Sequence, residues 1–231
     1  MNSVSGASTM SRTDLVVGKT FPISVTRKYN SKSGYASPLG YGWALTYDKQ
    51  LYTLTDNSVI IRTGPGQKKK YTYSGGIFTS PVNDTGTLTF NSADGSYTYT
   101  EKDGSSEVYD SYGRLASIND AKGTSLAFSY ESITKSPLKG VLPASVDQTT
   151  PTVIAYVYHL SRIDEKNSSG TATGKWVTLA YDPATGALTT VTDNAGRTVT
   201  YGHDPLGNLT SANGSGVAPS MAIPTLTTTI S

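Results

Sequence analysis

Cysteine is absent, histidine occurs twice, and charged residues make up only 16% of the 231 residues. Without cysteine, disulfides, thiolate catalysis and thiolate zinc sites drop out together. His159 and His203 stand apart, and no His/Asp/Glu group has metal-ligand spacing, so neither a metal nor a cofactor is expected. No apolar stretch approaches the roughly 18–20 residues of a membrane-spanning helix. The opening residues, Met1-Asn2-Ser3-Val4-Ser5-Gly6, have no basic segment and no apolar one, so no signal peptide is expected there. The net charge of +2 makes no electrostatic case for nucleic acid or an acidic membrane surface. Lys68-Lys69-Lys70 is the one basic run and reads as a solvated strand edge or loop, where lysines discourage unwanted pairing.

Hydrophobic residues, at 36%, fall below the roughly 45–50% usual for a globular domain. Threonine, serine, 23 glycines and 16 tyrosines fill the difference. Threonine and tyrosine suit a pleated, half-buried surface, and glycine and asparagine supply turns. A spaced repeat organises them. It reads Tyr109-Asp110, Gly113-Arg114-Leu115 and Asp120, then Tyr181-Asp182, Gly186, Leu188 and Asp193, then His203-Asp204, Gly207 and Leu209. Leu188 and Leu209 lie 21 residues apart, and a period near twenty residues without a capped helical run predicts one β-hairpin per repeat.

Alternation supports strands along most of the chain. Residues 20–29 alternate around Phe21, Ile23, Val25 and Arg27, and residues 41–54 carry Trp43, Leu45, Tyr47 and Leu51. In 87–109, the turns Asp94-Gly95 and Asp103-Gly104 separate alternating runs, which predicts two successive hairpins. Residues 124–130, 152–160, 176–181 and 197–203 alternate and end on aromatic residues, and 164–175 reads as a polar hairpin tip. The expected fold is therefore all-β, an antiparallel hairpin or meander array with little or no helix. Its expected divisions are a β segment over 1–131 ending in the first repeat, a Pro-containing connection over 132–151, repeat hairpins over 152–212, and a flexible hinge with an extended strand over 213–231.

The Tyr-Asp…Gly-Arg-Leu…Asp unit resembles the YD repeat of the RHS (rearrangement-hotspot) superfamily. The N-terminal half resembles the segment preceding those repeats in bacterial members, through Thr13-Asp14-Leu15, Pro22, Arg27, Tyr29-Asn30-Ser31, Pro38-Leu39-Gly40-Tyr41-Gly42-Trp43 and Tyr47-Asp48. The resemblance covers roughly residues 4–210. It implies a segment of a β-strand spiral, which in toxin-complex C components and teneurins closes into a hollow shell; in bacterial members the shell encloses a toxin released by an autoproteolytic motif. This chain departs from that pattern. It has two or three clear repeats, and Asp204-Pro205-Leu206-Gly207 belongs to a repeat and lacks the context of a cleavage core.

Candidate chemistry is thin, and no catalytic residue is expected. Both histidines occupy the aromatic position of a strand end and read as substituted tyrosines. Asp164 and Glu165 are adjacent on an extended chain and point to opposite faces, which rules against joint acid–base work. Gly170-Thr171-Ala172-Thr173-Gly174-Lys175 is one residue short of a phosphate loop, and Trp176 follows where a helix should begin, so it reads as a turn. The leading functional expectation is a non-enzymatic structural β-scaffold, extracellular or on the cell surface. It would form homo-oligomers by β-strand addition at exposed edges and the terminal strand, giving an assembly or filament. One alternative is a fragment of a larger RHS shell, with toxin cargo only in that parent; another, resting on tyrosine and tryptophan content, is a carbohydrate- or surface-binding module.

Overall fold

A computed structural model describes residues 6–65, 67–132 and 158–214. All regular structure among them is β-strand. The N-terminal part holds nine short strands: β1 (Thr9–Val17), β2 (Ile23–Asn30), β3 (Ala36–Ser37), β4 (Gly40–Tyr41), β5 (Trp43–Leu45), β6 (Gln50–Thr53), β7 (Val59–Gly64), β8 (Gln67–Ser74) and β9 (Ile77–Thr79). They form a three-stranded sheet in the order β1-β2-β5, a β3-β4 hairpin, and a four-stranded sheet in the order β6-β7-β8-β9. The alternating stretch 41–54 is thus not one strand. Gly40 (φ 100°) and Gly42 (φ 72°) turn the chain sharply, and a second turn at Thr46-Tyr47 separates β5 from β6. The lysine run also differs from expectation: β8 is an interior strand, and Lys69 turns inward while its two neighbours stay exposed.

The remaining strands are β10 (Thr87–Asn91), β11 (Ser96–Thr100), β12 (Ser106–Tyr109), β13 (Leu115–Asn119), β14 (Ser125–Ser132), β15 (Tyr158–Lys166), β16 (Ala172–Tyr181), β17 (Leu188–Asp193), β18 (Thr198–His203) and β19 (Leu209–Gly214). They make a single ten-stranded sheet in strict chain order, every neighbour antiparallel. β14 pairs with β15 from Ser125↔Lys166 to Ser132↔Tyr158, so the strands on either side of residues 133–157 belong to one sheet. The hairpin tip is shorter than the sequence predicts, because residues 158–166 and 172–181 are strand and only 167–171 turn. Nearly all of the Pro-containing connection and the tail beyond Gly214 lie outside the described residues.

The meander is built by one turn chemistry used repeatedly. At Asp110, Asp120, Asn167, Asp193 and Asp204 the residue's carbonyl accepts from the glycine three positions on, at 2.8–3.1 Å, and its own N–H donates to the carbonyl four positions on. Those glycines have φ between 73° and 90°, a left-handed conformation that closes a type I turn with a bulge and that side chains resist. Successive turns fall on alternate rims of the sheet. The Tyr/His-Asp turns of the three repeats share one rim, and the turns at Asp120, Asn167 and Asp193 share the other.

A β-bulge precedes the aromatic residue at four strand ends on the first rim, at Val108/Tyr109, Ser129/Tyr130, Ala180/Tyr181 and Gly202/His203. The extra residue re-aims the strand so that Tyr109 faces Leu115, Tyr130 faces Leu160, Tyr181 faces Leu188 and His203 faces Leu209. The repeat signature is therefore a cross-strand aromatic–leucine pair closed by an aspartate turn. Tyr109, Leu115 and Leu188 are fully buried.

The N-terminal sheets cover the face of the meander that these pairs line. Tyr47 meets Phe128 at 5.2 Å and Tyr71 meets Tyr99 at 6.0 Å across the layers, and their apolar residues merge into one core. The opposite face carries mostly small residues. One row runs Thr98, Val108, Ser117, Ala127, Asp164 and Trp176, and another contains Thr178, Thr192 and Thr198.

Candidate functional site

The repeat aspartates act on the backbone. Asp110 Oδ1 accepts from the N–H groups of Tyr112 (3.0 Å) and Arg114 (2.9 Å), while Oδ2 accepts from Arg114 Nε at 2.7 Å. Asp193 repeats the pattern with Ala195 and Arg197, and Asp204 does so with Leu206 and Asn208. Asp120 accepts from Lys122 and Thr124, and Asp182 from Ala184 and Thr185. Hydrogen bonds from Thr185 hold the Asp182 carboxyl below its ordinary range, as those from Asn208 do for Asp204. Asp120 and Asp193, which end the repeat unit in sequence, belong to turns on the opposite rim. Arg114 also lies over the rings of Tyr112, Tyr130 and Tyr158, at 5.0, 5.2 and 4.3 Å.

Of the repeat tyrosines, Tyr109 is buried and Tyr181 half-buried, and both phenols are neutral. Tyr109 donates to Glu107 at 2.6 Å and Tyr181 donates to the Leu160 carbonyl at 2.7 Å. Burial first, and then the Glu107 carboxylate, push the Tyr109 phenol up; burial chiefly does the same for Tyr181.

The N-terminal signature residues gather around Arg27. Its guanidinium grips Asp14 through two bonds of 2.5 and 2.9 Å, both side chains being about 95% buried, and Tyr201 donates to the same carboxylate at 2.9 Å. Trp43 stacks near Arg27 and lies 5.0 Å from Tyr29. Asn30 donates its backbone N–H to the Gly42 carbonyl at 2.9 Å, so Tyr29, Asn30, Gly42 and Trp43 close one corner of the layer. Gly40 joins the two signatures. A Cβ there would stand 2.6 Å from the Gly207 carbonyl oxygen of the third repeat, so only glycine allows that approach.

Three further polar groups tie the fold together, two of them across the layers, and the sequence alone paired none of their members. Asp48 accepts from Tyr35 (2.8 and 2.9 Å) and from Arg62 (2.9 Å), whose guanidinium lies 3.9 Å over the Tyr35 ring. Asp84 accepts from Tyr71 (2.5 Å) and Tyr99 (2.8 Å) and pairs with Lys69 at 3.1 Å. Burial opposes the Asp84 charge, yet these hydrogen bonds outweigh it and hold the carboxyl far below its ordinary range. Lys49 pairs with Glu107, and a cavity of about 160 Å³ lies between Lys49, Lys69, Tyr71, Tyr99, Glu101 and Glu107. A charged residue at an inward position of an alternating strand, as Asp14 and Arg62 are, is the available sequence signal for such pairs. Asp164 and Glu165 do face apart: Asp164 holds Arg162 beside Trp176, while Glu165 is buried with Thr173 and Lys175. Among the described residues no cluster of His, Cys, Asp and Glu could hold a metal ion, and no helix is long and apolar enough to cross a membrane.

Comparison with known proteins gives two family matches. The RHS Repeat family matches residues 181–217, and a domain of unknown function, DUF6531, matches residues 1–71. No curated protein matches. Among solved structures, the crystal structure of TcdB2-TccC3-Cdc42 is similar at 12% identity and a TM-score of 0.45, over 90% of this chain and 16% of that one. The N-terminal domain of effector protein SpvB from Salmonella typhimurium strain LT2 is similar at 13% identity and a TM-score of 0.45, over 88% of this chain and 99% of that one. The chain thus spans about one sixth of the length of the first. The RHS Repeat match falls on the hairpins whose Tyr181-Asp182 and His203-Asp204 turns share a rim, so this stretch of the chain carries the RHS (rearrangement-hotspot) repeat that its residues resemble.

Proposed function

We propose that this chain is a non-enzymatic structural scaffold of the RHS family that associates with copies of itself outside the cell, through the edges of its strand array. The observation supporting this reading is the ten-stranded sheet: its first strand β10 and last strand β19 each have one hydrogen-bonded neighbour among the described residues. An unpaired strand edge is a template for another strand, and edges of different sequence at opposite ends favour a head-to-tail contact. Such a contact does not close on itself and builds a filament. The side chains of the repeat signature are occupied in turns and core pairs, which is the chemistry of a scaffold.

The test is negative-stain electron microscopy of the full chain beside two variants. One is truncated after Ala212, and the other carries Thr89→Lys and Asn91→Lys on β10. Fibres or discrete oligomers that vanish in either variant support the reading. Single particles in all three count against self-association and favour a second reading, a segment of a larger RHS shell around a toxin, for which the RHS Repeat match at 181–217 speaks.

A further inference from the structure

The first rim of the meander holds two buried ring nitrogens that neither its turns nor its aromatic–leucine pairs satisfy. His159 is 5% exposed on β15, and its Nδ1 is buried without a hydrogen-bond partner among the described residues. Its ring lies 4.3 Å from Tyr181 on β16. Glu131 stands opposite it on β14, next to Tyr130. From the N-terminal layer the charge acting on it is Asp48, which Arg62 and Tyr35 already occupy. His203, at the aromatic position of the third repeat, hydrogen-bonds the Pro38 backbone. Proline offers only a carbonyl, so the ring donates, and its Nε2 is left buried without a partner among the described residues. The charged neighbour of His203 is Asp204, committed to its own turn.

Both rings therefore sit where the meander meets residues 35–51, and neither has a place for a second proton. A charge added there is desolvated and lacks an acceptor, which burial penalises heavily. The 35–51 segment is fixed to the meander by a short set of polar contacts: the Leu188 N–H donates to the Pro38 carbonyl at 2.8 Å, the Leu51 N–H to the Gly113 carbonyl at 2.8 Å, Gln50 Nε2 to the Tyr112 carbonyl at 3.0 Å and the His203 ring to the Pro38 carbonyl, and Lys49 pairs with Glu107. The meander itself is held by main-chain ladders that involve no histidine ring. We propose that His159 and His203 are an acid-responsive latch, whose protonation frees residues 35–51 from the rim while the ten-stranded sheet persists.

The direction of the titration agrees with the geometry. Burial, only partly offset by Asp48, lowers His159 from 6.5 to about 4, and burial lowers His203 as well. The closed contact is thus at full strength above the ordinary histidine value and weakens as pH falls from there toward the lowered one. At pH 5 the linkage weighs on the order of tenfold on the opening equilibrium for His159, once partial screening is allowed for.

Native-state amide exchange of the full chain at pH 7.5 and pH 5, corrected for the intrinsic rate, reads that opening directly. The expected result is a rise on the order of tenfold or more in residues 35–51, with little change in β16–β18. The rise should disappear in the His159→Phe/His203→Tyr chain. Equal exchange at both pH values, or a uniform rise over the whole chain, overturns the proposal. So does a rise in 35–51 that survives in the histidine-free chain, since carboxylates would then be the cause. Should the double variant fail to fold, His159→Phe alone and the comparison of 35–51 with β16–β18 in the unaltered chain decide the matter.

Discussion

Replacing Asp14 with alanine is expected to destabilise the fold by about 3–5 kcal/mol, because it strands the Arg27 guanidinium in the core. The structure sets that magnitude. Asp14 and Arg27 are about 95% buried, and the carboxylate accepts two bonds from Arg27 and one from Tyr201, 187 residues away. What would remain around Arg27 is the rings of Trp43 at 5.4 Å and Tyr201 at 5.8 Å. Ring faces attract the cation but accept no strong hydrogen bonds, so they offset at most about 2 kcal/mol. Tyr201→Phe removes only one bond to a charged acceptor and should cost about 1.5–3 kcal/mol. Removing both charges, in Asp14→Leu/Arg27→Met, should recover most of the loss, since a buried pair is roughly matched by apolar residues of similar volume. Urea denaturation at pH 7, followed by circular dichroism, measures all three. Asp14→Ala within about 1 kcal/mol of the parent, or a double variant as unstable as the sum of the singles, would refute the reasoning.

Two glycines with similar backbones should part company: Gly113→Ala meets the Leu51 carbonyl of the N-terminal layer and should cost at least about 3 kcal/mol, whereas Gly196→Ala has open space and should lose only the conformational 1–2 kcal/mol or so, by thermal melting of each variant. Leu188→Ala empties a fully buried position facing Tyr181 and should cost about 2–5 kcal/mol in the same melts. Asp204→Ala removes the two backbone caps of an exposed turn and should cost about 1 kcal/mol without loosening 35–51 in amide exchange. A second, lower acid limb should persist in the histidine-free chain. Asp84 and Asp193 are charged below the ordinary carboxylate range, with burial opposing and hydrogen bonds prevailing, so their contribution is present above that range and is lost as pH falls beneath it; melting at pH 4, 3 and 2 checks this.

Much of this molecule is local, and the local part is legible in the sequence. An Asp-x-x-Gly turn needs only its own aspartate, its own amides and a glycine that accepts positive φ, so Asp110–Gly113 and Asp204–Gly207 announce hairpins from their residues alone. Strand alternation is equally local, and with the turns it determines an antiparallel meander and an all-β fold. The four bulges were not legible, because one extra residue such as Ala116 or Thr189 looks like any strand residue until the register with its partner is known. Nor was the layer that covers the meander. Asp14 finds Tyr201, Gly40 finds Gly207, and Asp48 comes to lie near His159 only because two sheets stack face to face, bringing together residues more than a hundred positions apart. Spacing along a chain carries no information about such pairs, since they are chosen by which surfaces the two sheets must bury. The sequence by itself determined the hairpins and their turns; the tertiary structure alone decided which charges are paired in the core, and that the two histidines face the contact between the layers.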